Sequence, residues 1–419
     1  MFKKIINSAS IYKGLPSNIY FISIARFILG LGNFIIPFMV LLLTQKLDYS
    51  ATLAGSLTMG VTGVYILGNL CGGKLSDSLG HKHVMVGGEL IGALILIVCG
   101  FYANDAVLVP ALLFASYFFF GAASPASNAL VADLSTPKNR DAVMSLAYLA
   151  FNLGSAIGPV LAGYLFWNYT EWIFWGNGLA ALIGTVVVLF CVKLPSDNLL
   201  DNKNNENHSS HIELEKPVKG SVWAILKERP RLLCFTLMCA LLYFSVNQMT
   251  MASPLYLNHI FGSHGPILFG QLMTYACVLV AVITPILMKL TNKKTEVMSL
   301  AYAGILFVVG YLIVMFNPTI PMHFIAWFFL AAGEVLLVTK EGVYLANQSP
   351  SSHRGRIQGV LTTVRNVIIM PSFVLVGFSI DHYGYQSTWA LVVIVTLISV
   401  LGFIQMQRYQ QKPLQVVEA

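Results

Sequence analysis

The chain has 419 residues, of which 56% are hydrophobic and only 10% are charged, and its mean hydropathy is +0.72. This composition lies outside the usual range of soluble globular domains and is typical of a protein that crosses the membrane many times. The formal charge of +7 does not indicate nucleic-acid binding, because the basic residues lie between apolar segments and form no stripe with interleaved aromatic side chains.

The N-terminal stretch MFKKIINSASIYKGLPSN is basic and polar, and the apolar run after it is long enough to span a membrane. No small-residue cleavage site closes that run, so we expect a retained first helix instead of a cleaved signal peptide. A span needs about 20 mostly apolar residues. Gly, Pro, Asn and charged residues separate twelve such segments, at 19–43, 53–73, 84–103, 107–132, 141–166, 171–193, 230–257, 267–290, 296–316, 320–347, 355–379 and 386–406.

The Lys and Arg residues indicate how these segments are oriented. With the N-terminus in the cytoplasm, only Lys46 falls on an outer loop, while Arg26, Lys340 and Arg365 fall within helices. The other Lys and Arg residues then lie on the cytoplasmic side, as the positive-inside rule requires. We therefore expect a multi-pass protein of the cell membrane with both termini in the cytoplasm.

One long polar stretch follows the sixth segment and has the composition of a disordered linker. It divides the chain into an N-terminal six-helix bundle over residues 1–194, a cytoplasmic linker over 195–226 and a C-terminal six-helix bundle over 227–419. No partner beyond the lipid bilayer and a small-molecule substrate is expected, and the chain is predicted to be monomeric.

The two halves also resemble each other. The stretch ADLSTPKNR (132–140) aligns with ANQSPSSHR (346–354) at a constant offset of 214. This repeat indicates that a six-helix unit has been duplicated in the same orientation. The predicted fold class is an all-α membrane protein with twelve transmembrane helices in two pseudo-symmetric bundles.

Signatures of other energy sources and cofactors fail on inspection. The stretch GNLCGGK (68–74) matches the phosphate-loop spacing up to its Lys, but Leu75 stands where a magnesium-binding Ser or Thr is required. The six cysteines lie in or at the ends of apolar segments, without the spacing of a metal site or disulfide framework. We therefore expect no ATP-driven pump, no cofactor and no metal, and a proton gradient as the energy source.

The stretch GGKLSDSLGHKH (72–83), between the second and third segments, resembles the signature loop of the major facilitator superfamily. The matching positions are Gly73, Asp77, Gly80 and Lys82, whereas Ser78 replaces the first basic residue of the pattern. Two glycines permit a tight turn, and Asp77 is suited to facing helix N-termini and cations of the opposing half. The resemblance implies a gating loop and transport by alternating access.

A second stretch, NLGSAIGPVLAG (152–163), resembles the Gly-rich fifth-helix motif of drug/proton antiporters in that superfamily. Its Gly154, Gly158, Pro159 and Gly163 let helices approach closely and bend the helix, and close packing alone is an equal explanation. One departure counts against that group, because its members usually carry an Arg within the fourth helix and residues 116–134 contain none.

The charged residues inside the predicted spans balance: Arg26, Lys340 and Arg365 against Glu89, Glu334 and Glu341. Each unpaired charge near the bilayer centre costs roughly 2.5–3.5 kcal/mol, so these charges must pair or reach water. We expect Arg365 level with Leu337, between Glu334 and Glu341, because the tenth and eleventh segments join near Ser351. The resembled fold lines its cavity with helices 1, 4, 7 and 10, which implies that Arg26 can meet this group.

Two interpretations of these charges remain open. In one, Glu334 or Glu341 binds and releases a proton and so couples proton flow to substrate movement; in the other, static ion pairs hold the helices in register. Glu334 is the preferred coupling candidate, and Glu89 is interpreted as structural because its helix is peripheral in the resembled fold. Polar candidates for the substrate cavity are Asn33, Asn128, Tyr243, Asn247, Gln248 and Tyr344.

The predicted function is a secondary transporter, not an enzyme, that exports drug-like or amphipathic molecules in exchange for protons. A proton-coupled importer and an exporter of one dedicated metabolite use the same fold and remain alternatives. A multi-pass membrane transferase would need a polar catalytic constellation at a membrane face, which the sequence does not display. A member that has lost transport and serves a structural or sensory role is a further alternative.

Overall fold

The structure is a computed structural model, and it describes residue 12 and residues 14–136, 139–193, 230–348 and 354–411. These parts of the chain are helical and contain no strand. The predicted linker, 195–226, lies outside them.

Within the residues that the structure describes, the first half forms seven helices. They are α1 (Ser17–Leu31), α2 (Ile35–Gln45), α3 (Ala51–Leu79), α4 (His81–Phe101), α5 (Leu108–Asp133), α6 (Arg140–Leu165) and α7 (Glu171–Cys191). Helices α1 and α2 together form the first span, which is interrupted at residues 32–34.

The described part of the second half forms seven more, with a short 3-10 turn (Gly262–His264) between two of them. They are α8 (Pro230–Gln248), α9 (Ala252–Phe261), α10 (Gly265–Thr291), α11 (Glu296–Phe316), α12 (Ile320–Gln348), α13 (Arg354–Ile369) and α14 (Pro371–Gln411).

Over the described residues, ten helical stretches are long and apolar enough to cross a membrane. Two of these, Arg231–Thr291 and Val360–Tyr409, contain 61 and 50 residues, and each therefore holds two spans of about 20 residues. Backbone breaks mark the divisions, since Gly262 and Gly384 have φ of 53° and 75°, in the left-handed region that glycine tolerates. The twelve predicted spans are thereby accounted for.

The prediction that residues 72–83 form a loop is wrong, because nearly all of them are helical. Helix α3 continues through Gly73 and Asp77 to Leu79, and only Gly80 separates it from α4. Gly80 adopts φ 85°, and its N–H donates to the carbonyl of Ser76. Nothing between Gly73 and Leu79 breaks a helix, because an isolated glycine is tolerated within a helix at a small cost.

The chain forms two compact units: unit 1 comprises Met1–Ser209 with Leu257–Cys277, and unit 2 comprises Ser210–Tyr256 with Val278–Ala419. In unit 1, α5 packs on α3 and α4, α1 packs on α6 and α7, and α4 packs on α7. In unit 2, α12 packs on α11 and, through Ile283, Ala332 and Val335, on α10. Helix α8 packs on α13 and α14, and α11 on α14. The same pairings thus recur in the same chain order, as the predicted duplication requires.

Residues 257–277 belong to the predicted C-terminal bundle but group with unit 1. Small residues explain this grouping. A Cβ built on Gly163 of α6 would lie 2.6 Å from the carbonyl oxygen of Pro266, and one on Gly270 would meet the carbonyl oxygen of Pro159. The hydroxyl of Thr274 also donates to the carbonyl of Ala156. Backbone approach this close is possible only where side chains are missing or very small.

Candidate functional site

An ion-pair cluster lies in unit 2, formed by Glu341 on α12, Arg365 on α13 and Tyr243 on α8. Nη1 of Arg365 donates to both carboxylate oxygens of Glu341, at 2.7 and 2.6 Å, and the Tyr243 hydroxyl donates to Oε2 at 3.0 Å. The guanidinium also lies over the Tyr243 ring, 4.0 Å from its centroid. Three helices are therefore joined by one buried carboxylate, which is 6% exposed.

Glu334 lies two helical turns before Glu341 on α12, and its surroundings differ. Its side chain is half-buried, and no described residue lies within hydrogen-bond or ion-pair distance of its carboxylate. Lys340 does not pair with either glutamate; its ammonium donates to the carbonyl of Thr291 at the end of α10, at 3.5 Å. Glu341 is thus paired with Arg365, whereas Glu334 can gain or lose a proton without breaking an ion pair among the described residues.

The predicted cavity residues of unit 2 have separate partners. Nδ2 of Asn247 donates to the Ser372 hydroxyl at 3.4 Å, and Nε2 of the fully buried Gln248 donates to the carbonyl of Phe244 at 2.7 Å. Tyr344 is 4% exposed and stacks on Phe235 with ring centroids 3.8 Å apart. Gln248 and Tyr344 therefore pack within unit 2, while Tyr243 belongs to the ion-pair cluster.

A cavity of about 300 Å³ lies in unit 1 and is lined by residues from each of the helices α1 to α7. Arg26 lines it, and its Nη2 donates to the Ser127 hydroxyl at 3.0 Å and to Oδ1 of Asn128 at 2.8 Å. The predicted residues Asn33 and Asn128 both lie in its wall. The described hydrogen bonds of Arg26 are all to α5, and its meeting with the α12 glutamates stays a prediction.

Glu89 also lines this cavity, which the sequence interpretation missed. It lies nine residues into α4, and not near the end of that helix, and its side chain is 9% exposed. No ion pair of 4.0 Å or less joins it to Arg26 among the described residues. The available signal was the register of a lone Glu in the middle of an apolar helix.

The residues of the signature stretch bind within unit 1. The ammonium of Lys82 donates to the carbonyls of Leu189 and Val192, at 3.0 and 2.7 Å, and so caps the C-terminus of α7. Beside it, Nδ1 of His81 lies 2.6 Å from a carboxylate oxygen of Asp133. Asp77 is exposed and has no hydrogen-bond partner among the described residues.

The Gly-rich motif of α6 faces two neighbours. Side chains built on Gly154 and Gly158 would meet the carbonyl oxygens of Phe27 and Leu31 on α1, the latter at 2.8 Å. Pro159 and Gly163 lie instead against α10, as described above. The motif therefore packs the helix that carries Arg26 against α6, with backbone nearly touching backbone.

A sequence model of the Major Facilitator Superfamily matches residues 22–316 and 294–416. The chain belongs to the major facilitator superfamily. The resemblance read from residues 72–83 and 152–163 is thus confirmed, and with it the predicted twelve-helix fold. Members of this superfamily are multi-pass membrane transporters of small molecules, so the chain is a transporter and not a membrane enzyme.

Two relatives and one solved structure illustrate the degree of similarity. An uncharacterized MFS-type transporter of Bacillus subtilis, YttB, is 26% identical over 391 residues, covering 92% of this chain and 94% of the relative. A Na⁺, Li⁺, K⁺/H⁺ antiporter of Planococcus maritimus is 22% identical over 340 residues, covering 77% and 80%. The crystal structure of a variant of the nucleoside transporter NupG superposes with a TM-score of 0.76 at 11% identity, over 93% of this chain and 98% of that one.

Proposed function

We propose that this transporter exports drug-like or amphipathic small molecules in exchange for protons, by alternating access in the cell membrane. In this proposal a single chain is the working unit, and both termini face the cytoplasm. The positive-inside distribution of Lys and Arg supports that orientation.

The contrast between Glu334 and Glu341 carries the proposal. Protonating Glu341 would weaken two bonds to Arg365, whereas Glu334 has no such partner among the described residues. A charged carboxylate in a span costs roughly 2.5–3.5 kcal/mol, and a bound proton removes that charge. Glu334 is therefore the residue we assign to proton coupling, and the Glu341 ion pair is assigned to holding α8, α12 and α13 together.

The choice of amphipathic molecules as substrates is supported by the character of the unit-1 cavity. Its wall combines rings, including Tyr65, Tyr117, Phe120 and Phe151, with a few polar anchors. Pockets of that kind bury an apolar body and fix its orientation through a small number of polar contacts.

A second candidate is the exchange of a monovalent metal cation for protons. The Planococcus maritimus antiporter, similar over 77% of this chain, favours it. In that case Glu334 or Glu89 would serve as an oxygen ligand for the cation, since carboxylates suit hard cations.

Proteoliposomes with an imposed pH gradient of either sign test these proposals together. We expect an acidic exterior to drive ethidium out of the cytoplasmic side, and Glu334→Gln to abolish this movement while the protein remains folded in the membrane. Glu296→Gln, at the first residue of α11, is the matched control and should transport normally. Gradient-driven transport that survives Glu334→Gln would refute the coupling role, and a gradient dissipated by Na⁺ or K⁺ but not by ethidium would favour the second candidate.

A further inference from the structure

The unit-1 cavity holds two opposite charges that its described residues leave largely unsatisfied. Arg26 uses only Nη2 for its bonds to Ser127 and Asn128, so Nη1 and Nε have no hydrogen-bond partner among the described residues. Neither carboxylate oxygen of Glu89 accepts a hydrogen bond there, and Oε2 is fully buried. Leaving buried charged groups without partners is costly, so an occupant that supplies them would be bound strongly.

The geometry indicates what such an occupant must carry. Arg26 and Glu89 both line this cavity, and no ion pair of 4.0 Å or less joins them among the described residues. Arg26 offers N–H donors to an anion or a carbonyl, and Glu89 offers acceptor oxygens to an ammonium group. A ligand with both groups can satisfy both residues at once, whereas a ligand with one leaves the other charge buried and unpaired.

The remaining wall limits the body of the ligand. Tyr65, Tyr117, Phe120 and Phe151 supply aromatic faces and edges. The cavity volume of about 300 Å³ lies at the small end of the range for ligand pockets. That space accommodates one aromatic ring with a short charged chain, in the size range of small ligand pockets.

We propose that this cavity is a binding site for small aromatic zwitterions, with the ligand's ammonium on Glu89 and its carboxylate on Arg26. The inference rests on the proposed function in that it names the substrate class of the transporter. It assigns substrate contact to Glu89, a residue of α4, and separates that role from proton coupling at Glu334.

Three probes that share one ring test the assignment: L-phenylalanine, phenethylamine and 3-phenylpropionate. They carry both charges, only the ammonium and only the carboxylate, respectively. Binding is measured on the purified full-length protein in nanodiscs, at one pH and without a gradient. Radiolabelled phenylalanine reports directly, and the other two compete with it. Because each charged hydrogen-bonded contact contributes about tenfold or more, phenylalanine should bind at least about tenfold more tightly than either analogue.

Variants then identify which residue meets which charge. Glu89→Gln should weaken phenylalanine about tenfold and leave 3-phenylpropionate unchanged. Arg26→Gln should weaken phenylalanine similarly and leave phenethylamine unchanged. Glu171→Gln, the matched control at the start of α7, removes the same charge outside this cavity and should leave all three affinities unchanged.

Two outcomes would overturn the inference. One is that phenylalanine binds no more tightly than its singly charged analogues, a ranking on the unmutated protein that needs no variant to fold. The other is that Glu89→Gln and Arg26→Gln each weaken all three probes equally while Glu171→Gln binds normally, which would show that neither residue meets one particular charge of the ligand. Glu334→Gln should still bind phenylalanine more tightly than its two analogues. Proton-driven transport without this preference for the zwitterion would refute only this inference. The preference without proton-driven transport would refute only the proposed function.

Discussion

Replacing Glu341 by Gln should destabilise the protein by about 3 kcal/mol, because it removes the negative charge and one of the two oxygens that accept hydrogen bonds from Arg365. Besides the remaining amide oxygen, Arg365 would keep a 3.4 Å contact with Oδ1 of Asn366 and the face of the Tyr243 ring. Breaking a buried ion pair by removing one partner costs about 3–5 kcal/mol. The lower end applies here, since the Arg365 side chain is 14% exposed and retains some access to water.

Arg365→Gln should cost a similar amount, since it leaves the 8% exposed Glu341 side chain charged and unpaired. The double variant, Glu341→Gln with Arg365→Gln, leaves two neutral amides and should lose only about 3 kcal/mol in total. The coupling energy between the two sites is therefore expected near 3 kcal/mol, the upper end of the range for residues in one network.

Equilibrium unfolding in mixed micelles with increasing denaturing detergent measures this cycle on the four proteins. Losses in the single variants that add to within about 0.5 kcal/mol of the double variant would refute the reasoning, because independent sites behave that way. Transport by the same proteins separates the two roles of the pair. A structural ion pair predicts that the double variant regains transport, whereas a proton carrier at Glu341 predicts that it does not.

Three further predictions concern positions away from the buried charges. Asp77→Ala should slow the exchange between inward- and outward-facing states, measured by single-molecule fluorescence, and leave ligand affinity unchanged; lost affinity with normal exchange would contradict it. Gly163→Ala should destabilise the protein by about 1–3 kcal/mol in thermal unfolding, because it forces a methyl group against the Pro266 carbonyl. Gly73→Ala is the contrasting variant: a Cβ at this position would meet no atom within 4 Å, and it should stabilise α3 by about 0.5–1 kcal/mol. The backbone N–H groups of Leu108 and Val107 lower the pKa of Asp105 in the folded protein. Its carboxylate therefore stabilises α5 fully above the unfolded pKa, and this effect is lost as pH falls through the folded pKa. The melting temperatures of the unmutated protein and of Asp105→Asn should thus converge in acid, and a difference independent of pH would contradict the prediction.

The sequence predicted the spans well because apolar length and the positive-inside rule are strong constraints in a bilayer. It also placed Arg365 near the right depth, since helix rise converts residue count into height. Depth does not fix the rotation of a helix about its axis, so the prediction put Arg365 between Glu334 and Glu341, and the structure pairs it with Glu341 alone.

Two expectations rest on the family resemblance. The structural role of Glu89 is expected because its helix is peripheral in the resembled fold; that role stays a prediction, and the side chain lines the unit-1 cavity. The signature stretch was interpreted as a loop because the family motif lies between two helices. In this chain the local sequence from Gly73 to Leu79 sustains a helix, and only the positive φ of Gly80 ends it.

That single-residue joint has a mechanical consequence for the unit that contains it. Only Gly80 separates α3 from α4. His81 binds Asp133 at the end of α5, and Lys82 binds the last carbonyls of α7. A displacement of Asp77 is therefore not absorbed by a flexible linker, and α3, α4, α5 and α7 should move together. Inserting one or two glycines after Gly80 should leave every span intact. It should also let α3 move without moving α4, α5 and α7.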